Sequence, residues 1–244
     1  MIKTIEITNV SHFLAEVQKT QEEHEKALLF RGQPAGNTLL PRLFRGKLNE
    51  INITEKDLFN EFKRVCNMQL SFNPKTDLDY LSIAQHHGLS TRLLDWTYSA
   101  LVALWFATKE ENGIDGSVFI IKTKEEHFDN ENILSDIFTN DTKQLRTLIV
   151  RPRHTSQRIV AQQGMFTLHA IFKHKTRGHQ VLPINGHRHR MRKDIIEMKI
   201  ENQFFKSIRK ELNIAGINHY TLFPDLDGLC QYLNWRHIDR KTNN

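Results

Sequence analysis

The stretch LSIAQHHGLSTRLLDWTYSALVALWFATK, residues 81–109, decides how this chain folds. Its first half is crowded with polar side chains, and its second half is almost wholly apolar. Because Tyr98–Thr108 has no polar face, the pattern predicts a buried helix, with Thr97 as its N-cap. Packing against a core holds the elements attached to such a helix rigidly. We therefore expect the polar cluster to form half of a ligand site and Phe30–Gln33 (FRGQ) to form the other half.

The segments before this stretch predict a strand and two helices. Four apolar residues, Ala27–Phe30, indicate a buried strand whose end delivers Arg31 and Gln33 into a turn. One helix is expected to begin at Thr54. A second is expected over Thr76–His87, with Gly88 ending it and a turn following over Ser90–Asp95.

The segments after it favour strands, which are predicted over 116–122, 145–150, 165–172 and 195–200. No repeat or Pro/Gly-rich linker divides the chain. We therefore expect one α+β domain over residues 1–244, with N-terminal helices packed on a mixed or antiparallel sheet.

Bulk composition restricts the class of protein. Hydrophobic residues make up 39% and charged residues 25%, and no run of 18 apolar residues or secretory signal occurs. Cys66 and Cys230 both fall in apolar helical patterns and are interpreted as buried thiols of a reducing cytoplasm. The net charge of +6 suits a polyanionic partner, although it is far below that of a dedicated nucleic-acid coat.

Arg31 is the strongest candidate for a charged ligand contact. A guanidinium at a strand end offers a rigid fork of donors to a phosphate or carboxylate, and Gln33 adds an amide beside it. The structural alternative is an ion pair with a nearby acid such as Asp95. Asp95 itself is expected to cap the following helix or to pair with Arg92.

The residue pattern at 86–91 favours a role in shaping a pocket over a role as metal ligand or nucleophile. Adjacent His86 and His87 point about 100° apart on a helix, and no metal-binding motif is present, which disfavours a metal site. Ser90 lacks the GxSxG setting of a serine nucleophile. Thr91 is suited to holding backbone groups in a turn, and His86 either donates to a ligand or is a satisfied, partly buried side chain.

Two further segments carry weaker signals. Gln162 and Gln163 precede the clearest strand, where amides can contact a ligand without carrying charge. The run 173–193 (KHKTRGHQVLPINGHRHRMRK) is typical of a solvated loop, and its alternative role is to contact the phosphate backbone of RNA or DNA.

Taken together, these motifs resemble the FRG domain family. FRGQ, then AQHHGLSTRLLDWT at 84–97, AQQGMF at 161–166 and LFPDLDGL at 222–229 occur in the family's order across about 28–233. Ser90 departs from the proline that the family usually has. The resemblance implies a single FRG domain in a bacterial or phage protein. The proteins with which this family is associated suggest a toxin or phage-defence effector.

More distantly, the order of motifs is similar to that of ADP-ribosyltransferases, whose split sheet binds NAD. That resemblance implies that Arg31 binds a phosphate of NAD and that Ser90 and Thr91 brace the nicotinamide pocket. Gln162 or Gln163 stands where a catalytic Glu is expected, and an amide cannot act as a general base. Some members of that superfamily, including tRNA 2′-phosphotransferases, manage without the Glu.

The resulting hypothesis is an NAD-binding, ADP-ribosyltransferase-like protein that modifies a macromolecule, with nucleic acid slightly favoured over protein. Arg31, Gln162 and Gln163 are the predicted catalytic residues, with Gln163 on the acceptor side. NAD, as substrate, is expected to contact the set Arg31, Gly32, Gln33, His86, Ser90, Thr91 and Arg92. The alternative is a non-catalytic module that binds a nucleotide or nucleic acid.

Overall fold

A computed structural model describes residues 2–45, 55–70, 73–128, 146–153, 156–174 and 178–239. Its strands are β1 (Lys3–Ile7), β2 (Leu28–Pro34), β3 (Leu93–Thr97), β4 (Gly116–Lys122), β5 (Leu148–Val150), β6 (Gly164–Leu168), β7 (Phe172–His174), β8 (Gly178–Gln180) and β9 (Ile195–Ile200). Seven of them form one sheet in the order β1-β9-β4-β2-β3-β6-β5, and β7 pairs with β8 separately. Since β1 and β9 are parallel and the other neighbours antiparallel, the sheet is mixed, as predicted.

Helices alternate with these strands along the chain. They are α1 (Val10–Glu22), α2 (Glu55–Cys66), α3 (Asp77–His86), α4 (Ala100–Thr108), α5 (Gln157–Ala161), α6 (Phe205–Ile214), α7 (His219–Leu222) and α8 (Leu226–Asn234). Thr76 caps α3 in a capping box, and Gly88 follows that helix with a φ of +87°. The predicted cap of α2, Thr54, lies outside the described residues.

The buried helix predicted from the apolar run is confirmed. The α4 side chains Leu104 and Trp105 are at most 2% exposed and share a core cluster with Leu28 and Phe30 of β2. Helices α1 and α6 contribute to the same cluster. A second cluster includes Leu29 and Trp96 and is closed by residues from irregular segments, and a third joins α2 and α3 to β3, β5 and β6.

Several local predictions were wrong. Arg31 and Gln33 lie within β2 rather than in a turn after it. Asp95 lies in the middle of β3, so the expected turn over Ser90–Asp95 gives way to a strand at Leu93. Cross-strand pairing decides both cases, because β4 and β6 supply hydrogen-bonding partners that local sequence does not reveal. Ser99, not Thr97, caps α4.

The two cysteines differ in burial. Cys66 is buried as predicted, but Cys230 is exposed, because α8 presents that position to solvent. Both are free thiols. Within the described ranges, no helix is long and apolar enough to cross a membrane.

Candidate functional site

The candidate site is a pocket of about 310 Å³ that opens where β2 and β3 separate. These strands share one registered pair, Phe30↔Thr97, whereas the register of β2 with β4 runs along the whole strand. Beyond that pair, Arg31–Pro34 line one wall and Asp95 and Trp96 the other. The sheet is therefore continuous but nearly divided at this point, and the division exposes polar side chains of both strands.

Arg31 bridges the two walls. Its Nη1 donates to the Asp95 backbone oxygen at 2.8 Å and lies 3.6 Å from the Asp95 carboxylate, while its Nε donates to Gln33 Oε1 at 3.0 Å. Gln33 is fixed in turn, because its Nε2 donates to the backbone carbonyl of Asn37 at 2.8 Å. Burial lowers the pKa of Arg31 to about 10, which leaves the guanidinium charged at neutral pH.

A short hydrogen-bond relay positions the Asp95 carboxylate. Gln85 of α3 donates from Nε2 to both Asp95 oxygens at 3.1 and 3.2 Å, and its Oε1 accepts from the Thr91 hydroxyl at 2.8 Å. The Thr91 oxygen also accepts from the Leu93 amide at 3.1 Å. Thr91, 1% exposed, thus acts through Gln85 rather than facing the pocket itself.

Gly32 brings helix α4 against the pocket. A Cβ at this position would lie 1.8 Å from the Ala103 carbonyl oxygen and 2.5 Å from the Ala107 amide. Only the absence of a side chain allows α4 to approach β2 this closely. The approach adds Val102 and the half-buried ring of Phe106 to the pocket wall.

The third wall comes from α5 and the residue that ends it. The Arg158 guanidinium lies over the Phe223 ring at 4.5 Å, a cation–π contact. Gln162 lines the pocket. Its Nε2 donates to the Leu222 backbone carbonyl, and its backbone carbonyl accepts from the Thr97 hydroxyl at 2.6 Å. Both of these contacts hold α5 against the rest of the site.

The charge of the lining is predominantly positive. Among the described residues of the lining, four cationic side chains, Arg31, Arg45, Lys109 and Arg158, outnumber two carboxylates, Asp95 and Glu110. Such a lining suits an anionic ligand that also carries hydroxyl or amide groups. Among the described residues, no group of three or more His, Cys, Asp or Glu side chains is placed to hold a metal ion.

The structure brings some of the predicted residues together and separates others. Arg31, Gly32, Gln33 and Gln162 line the pocket, and the Arg31–Asp95 pair shows that the structural alternative for Arg31 is also realised. The described lining does not include the remaining predicted set: His86, Ser90, Thr91, Arg92 and Gln163. Whether any of these contacts a ligand stays a prediction.

Three of that set have defined positions elsewhere. The expected pairing of Asp95 with Arg92 is wrong, because Arg92 pairs with Glu55. His86 is half-buried next to Arg158, and burial, followed by that positive charge, lowers the pKa of His86 to about 4. Gln163 is exposed, with a φ of +47°.

Sequence reasoning missed Arg45, Phe106, Lys109 and Glu110 and assigned Asp95 a purely structural role. Arg45 and Lys109 had no usable signal, since lone basic residues after a connection or a helix are common. Asp95 did have a signal: an acid inside the mainly apolar stretch Leu93–Thr97 is unusual for a strand and indicates a special position.

The FRG domain family model matches residues 26–115, which confirms the predicted resemblance over that stretch. The match contains both the FRGQ motif and the AQHHGLSTRLLDWT motif. The segments at 161–166 and 222–229 lie outside it. No curated protein and no solved structure gives a significant match to the chain.

Proposed function

Taking the FRG domain over residues 26–115 as our premise, we propose that this protein binds NAD and transfers ADP-ribose to a macromolecular acceptor, with nucleic acid favoured over protein. The observation that carries the proposal is Arg31, a charged guanidinium fixed in the opening between two strands and facing a mainly cationic pocket. An ADP-ribosyltransferase-like division of the sheet would place its NAD at such an opening.

The cations suit the pyrophosphate of NAD. Arg31 uses Nε and Nη1 for internal contacts, so within the described chain its Nη2 is left to donate to a phosphate oxygen. Arg45 and Arg158 lie on the same lining and can neutralise the second phosphate. The half-buried Phe106 offers an apolar surface to a ring of the ligand.

The reaction requires a cationic transition state to be stabilised. The bond between nicotinamide and ribose breaks, nicotinamide leaves with the electron pair, and an acceptor oxygen or nitrogen bonds to the ribose carbon and loses its proton. Gln162 orients by hydrogen bonding but cannot accept that proton. We assign to Asp95 the role of the missing Glu: its carboxylate lines the pocket, accepts hydrogen bonds from Gln85, stabilises the cationic ribose and takes the proton that the acceptor loses.

The test uses purified protein, adenylate-labelled NAD and separate pools of RNA, DNA and protein, with nicotinamide release measured in parallel. We expect label on the nucleic acid pool and release of nicotinamide. Arg31→Ala should abolish both, and Asp95→Asn should reduce turnover more than NAD binding. Arg64→Ala, which removes an exposed arginine from α2, is the matched control and should behave as wild type.

Two outcomes would refute the proposal. The absence of both label transfer and nicotinamide release from every acceptor pool would exclude the transferase. NAD binding that Arg31→Ala leaves unchanged would exclude the site. A role as a toxin or phage-defence effector predicts growth arrest on expression, relieved by Arg31→Ala.

A specific observation favours a second candidate, a non-catalytic nucleotide-binding module. Gln162 and Gln163 carry amides where a catalytic Glu is expected, and Arg31 is already paired with Asp95. This candidate predicts NAD or nucleotide binding that Arg31→Ala weakens, with no nicotinamide release. Calorimetric titration beside the release assay separates the two.

A further inference from the structure

A second pocket, of about 460 Å³, lies away from the Arg31 site. It forms where the basic segment 188–193 meets residues 126–127 and 146–147, which come from distant parts of the chain. None of its lining residues belongs to the Arg31 pocket. The C-terminal end of the run 173–193, which is typical of a solvated loop in sequence, is therefore one wall of a concave surface.

The pocket is strongly basic. In the part of the lining that the structure describes, four cationic side chains, Arg146, Arg188, Arg190 and Lys193, stand against one exposed acid, Glu126. All four cations are exposed, and within the described part of the chain none of them pairs with a carboxylate. Their positive charges are consequently available to an incoming anion.

Hydrogen bonding at the wall orients a further donor. His189 Nδ1 accepts from the Met191 amide at 3.2 Å, so the neutral ring carries its proton on Nε2. That proton is donated to Thr147 Oγ1 at 2.9 Å, which leaves the Thr147 hydroxyl proton to donate elsewhere. Burial lowers the pKa of His189 to about 4 and keeps this arrangement at neutral pH.

A buried carboxylate, paired with a partly exposed lysine, anchors the basic segment. Asp194, 5% exposed, accepts from Lys124 Nζ at 2.6 Å and lies 3.5 Å from His127 Nε2. The other nitrogen of His127 accepts from the Lys124 amide. These contacts hold the short 3₁₀ helix Arg190–Asp194 in place, so its two lining cations are presented from a fixed backbone.

We propose that this basic pocket binds the phosphodiester backbone of a nucleic acid. Exposed guanidinium and ammonium groups with a hydroxyl donor match phosphate oxygens, which position a nucleic acid without reading its sequence. Among the described residues of this lining there is no Phe, Tyr or Trp for bases to stack on, which favours backbone contact over base recognition. The site does not depend on the proposed transferase activity, since it shares no residue with the Arg31 pocket.

The test measures fluorescence anisotropy of a labelled, mixed-sequence single-stranded RNA across a series of salt concentrations, without NAD. Arg188→Ala/Arg190→Ala should weaken binding and reduce the slope of log K against log salt by about 0.7 for each phosphate that is no longer neutralised. Arg188→Lys/Arg190→Lys should retain most of the affinity, because lysine still contacts phosphate as a point charge. The control Lys3→Ala/Lys19→Ala removes two exposed charges from β1 and α1 and should bind like wild type.

Three results would overturn the inference. One is equal weakening in the control and the pocket variant, which would indicate a diffuse effect of net charge. Another is the absence of RNA binding by the wild type. The third is competition by inorganic phosphate or a mononucleotide as effective as that by unlabelled RNA, which would indicate a small-anion site. Arg31→Ala should bind RNA normally, so failure of the transferase hypothesis is distinguishable from failure of this one.

Discussion

Arg31 and Arg92 lie in similar sequence contexts, but their ion pairs differ in how open they are to a ligand. Each is part of a polar motif at a strand, and both are predicted from the sequence to contact NAD. Arg92 and Glu55 are each 9% exposed at the side chain, and the Arg92 Nε donates to both carboxylate oxygens at 2.8 Å. Arg31 is 13% exposed and faces a carboxylate that is 56% exposed at 3.6 Å.

The difference shows that burial of an arginine does not by itself indicate its role. The acid of Arg92 comes from α2, which covers the pair and closes it to ligands. The acid of Arg31 is on the neighbouring strand at the edge of a pocket, so the pair stays open. A closed pair contributes to stability chiefly because breaking it leaves a buried charge. In the open pair the carboxylate keeps contact with solvent, so breaking the pair costs less and the arginine can also bind a ligand.

The largest effect is expected from Arg92→Ala. It leaves the Glu55 carboxylate buried without its partner, which typically costs about 3–5 kcal/mol of unfolding free energy. Urea unfolding measures the loss. The double variant Arg92→Met/Glu55→Leu should recover much of it, and a loss below about 1 kcal/mol in the single variant would contradict the closed-pair interpretation.

Gly32→Ala tests the close packing of α4 against β2, which forms part of the wall of the Arg31 pocket. Because its Cβ would meet backbone atoms of α4, we expect a loss of about 1–3 kcal/mol or more and a displaced helix. Gly164→Ala is the matched control, since a Cβ there would meet Ile159 at an ordinary 3.6 Å. Equal unfolding free energies for the two variants would show that α4 has room to move.

Protonation of His169 should lower the free energy of unfolding as the pH falls. This side chain is 1% exposed and lies beside the Trp96–Thr167 hydrogen bond. Burial, with smaller contributions from His189 and Arg31, lowers its pKa to about 3. The unfolded chain then binds more protons below its ordinary pKa of about 6.5, so stability is complete above that pH and is lost as the pH falls towards 3.

The slope attributable to His169 is about 1.4 kcal/mol per pH unit in the middle of that range. Unfolding by urea at several pH values, compared between wild type and His169→Gln, measures it. The variant should show the shallower dependence even if it is less stable at pH 7. Parallel curves would mean that His169 is not the group that titrates.

The smallest effect on stability is expected from Arg31→Ala, at about 1 kcal/mol or less, because the Asp95 carboxylate that it leaves without a partner is 56% exposed. Its effect on ligand binding should be the largest of the set. Thermal unfolding without NAD measures the loss of stability, and the further shift on adding NAD measures the loss of binding. A loss of stability as large as that of Arg92→Ala would make Arg31 a structural residue and remove the contrast between the two.

Much of the local fold could be predicted from the sequence, for identifiable reasons. The apolar run at 98–108 permits only a buried helix, and the Thr76 cap and Gly88 set the limits of α3. Strands β4 and β9 follow from short β-rich segments next to turn signals. The same reasoning placed Arg31, Gly32, Gln33 and Gln162 in the candidate site, and all four line the pocket.

The rest depended on contacts between residues far apart in the chain. Asp95 faces Arg31 because β3 pairs with β2 at one position only, and Glu55 reaches Arg92 because α2 packs beside β3. Neither partner is encoded in local spacing.

The sequence by itself determined which segments are buried and which carry polar side chains, because periodicity and capping act within a few residues. Only the tertiary structure decided which arginine has its ion pair closed to ligands and which has it open. It also decided that segment 188–193 forms one wall of a basic pocket. Electrostatic role depends on the distance and exposure of the partner charge, and those are set by packing.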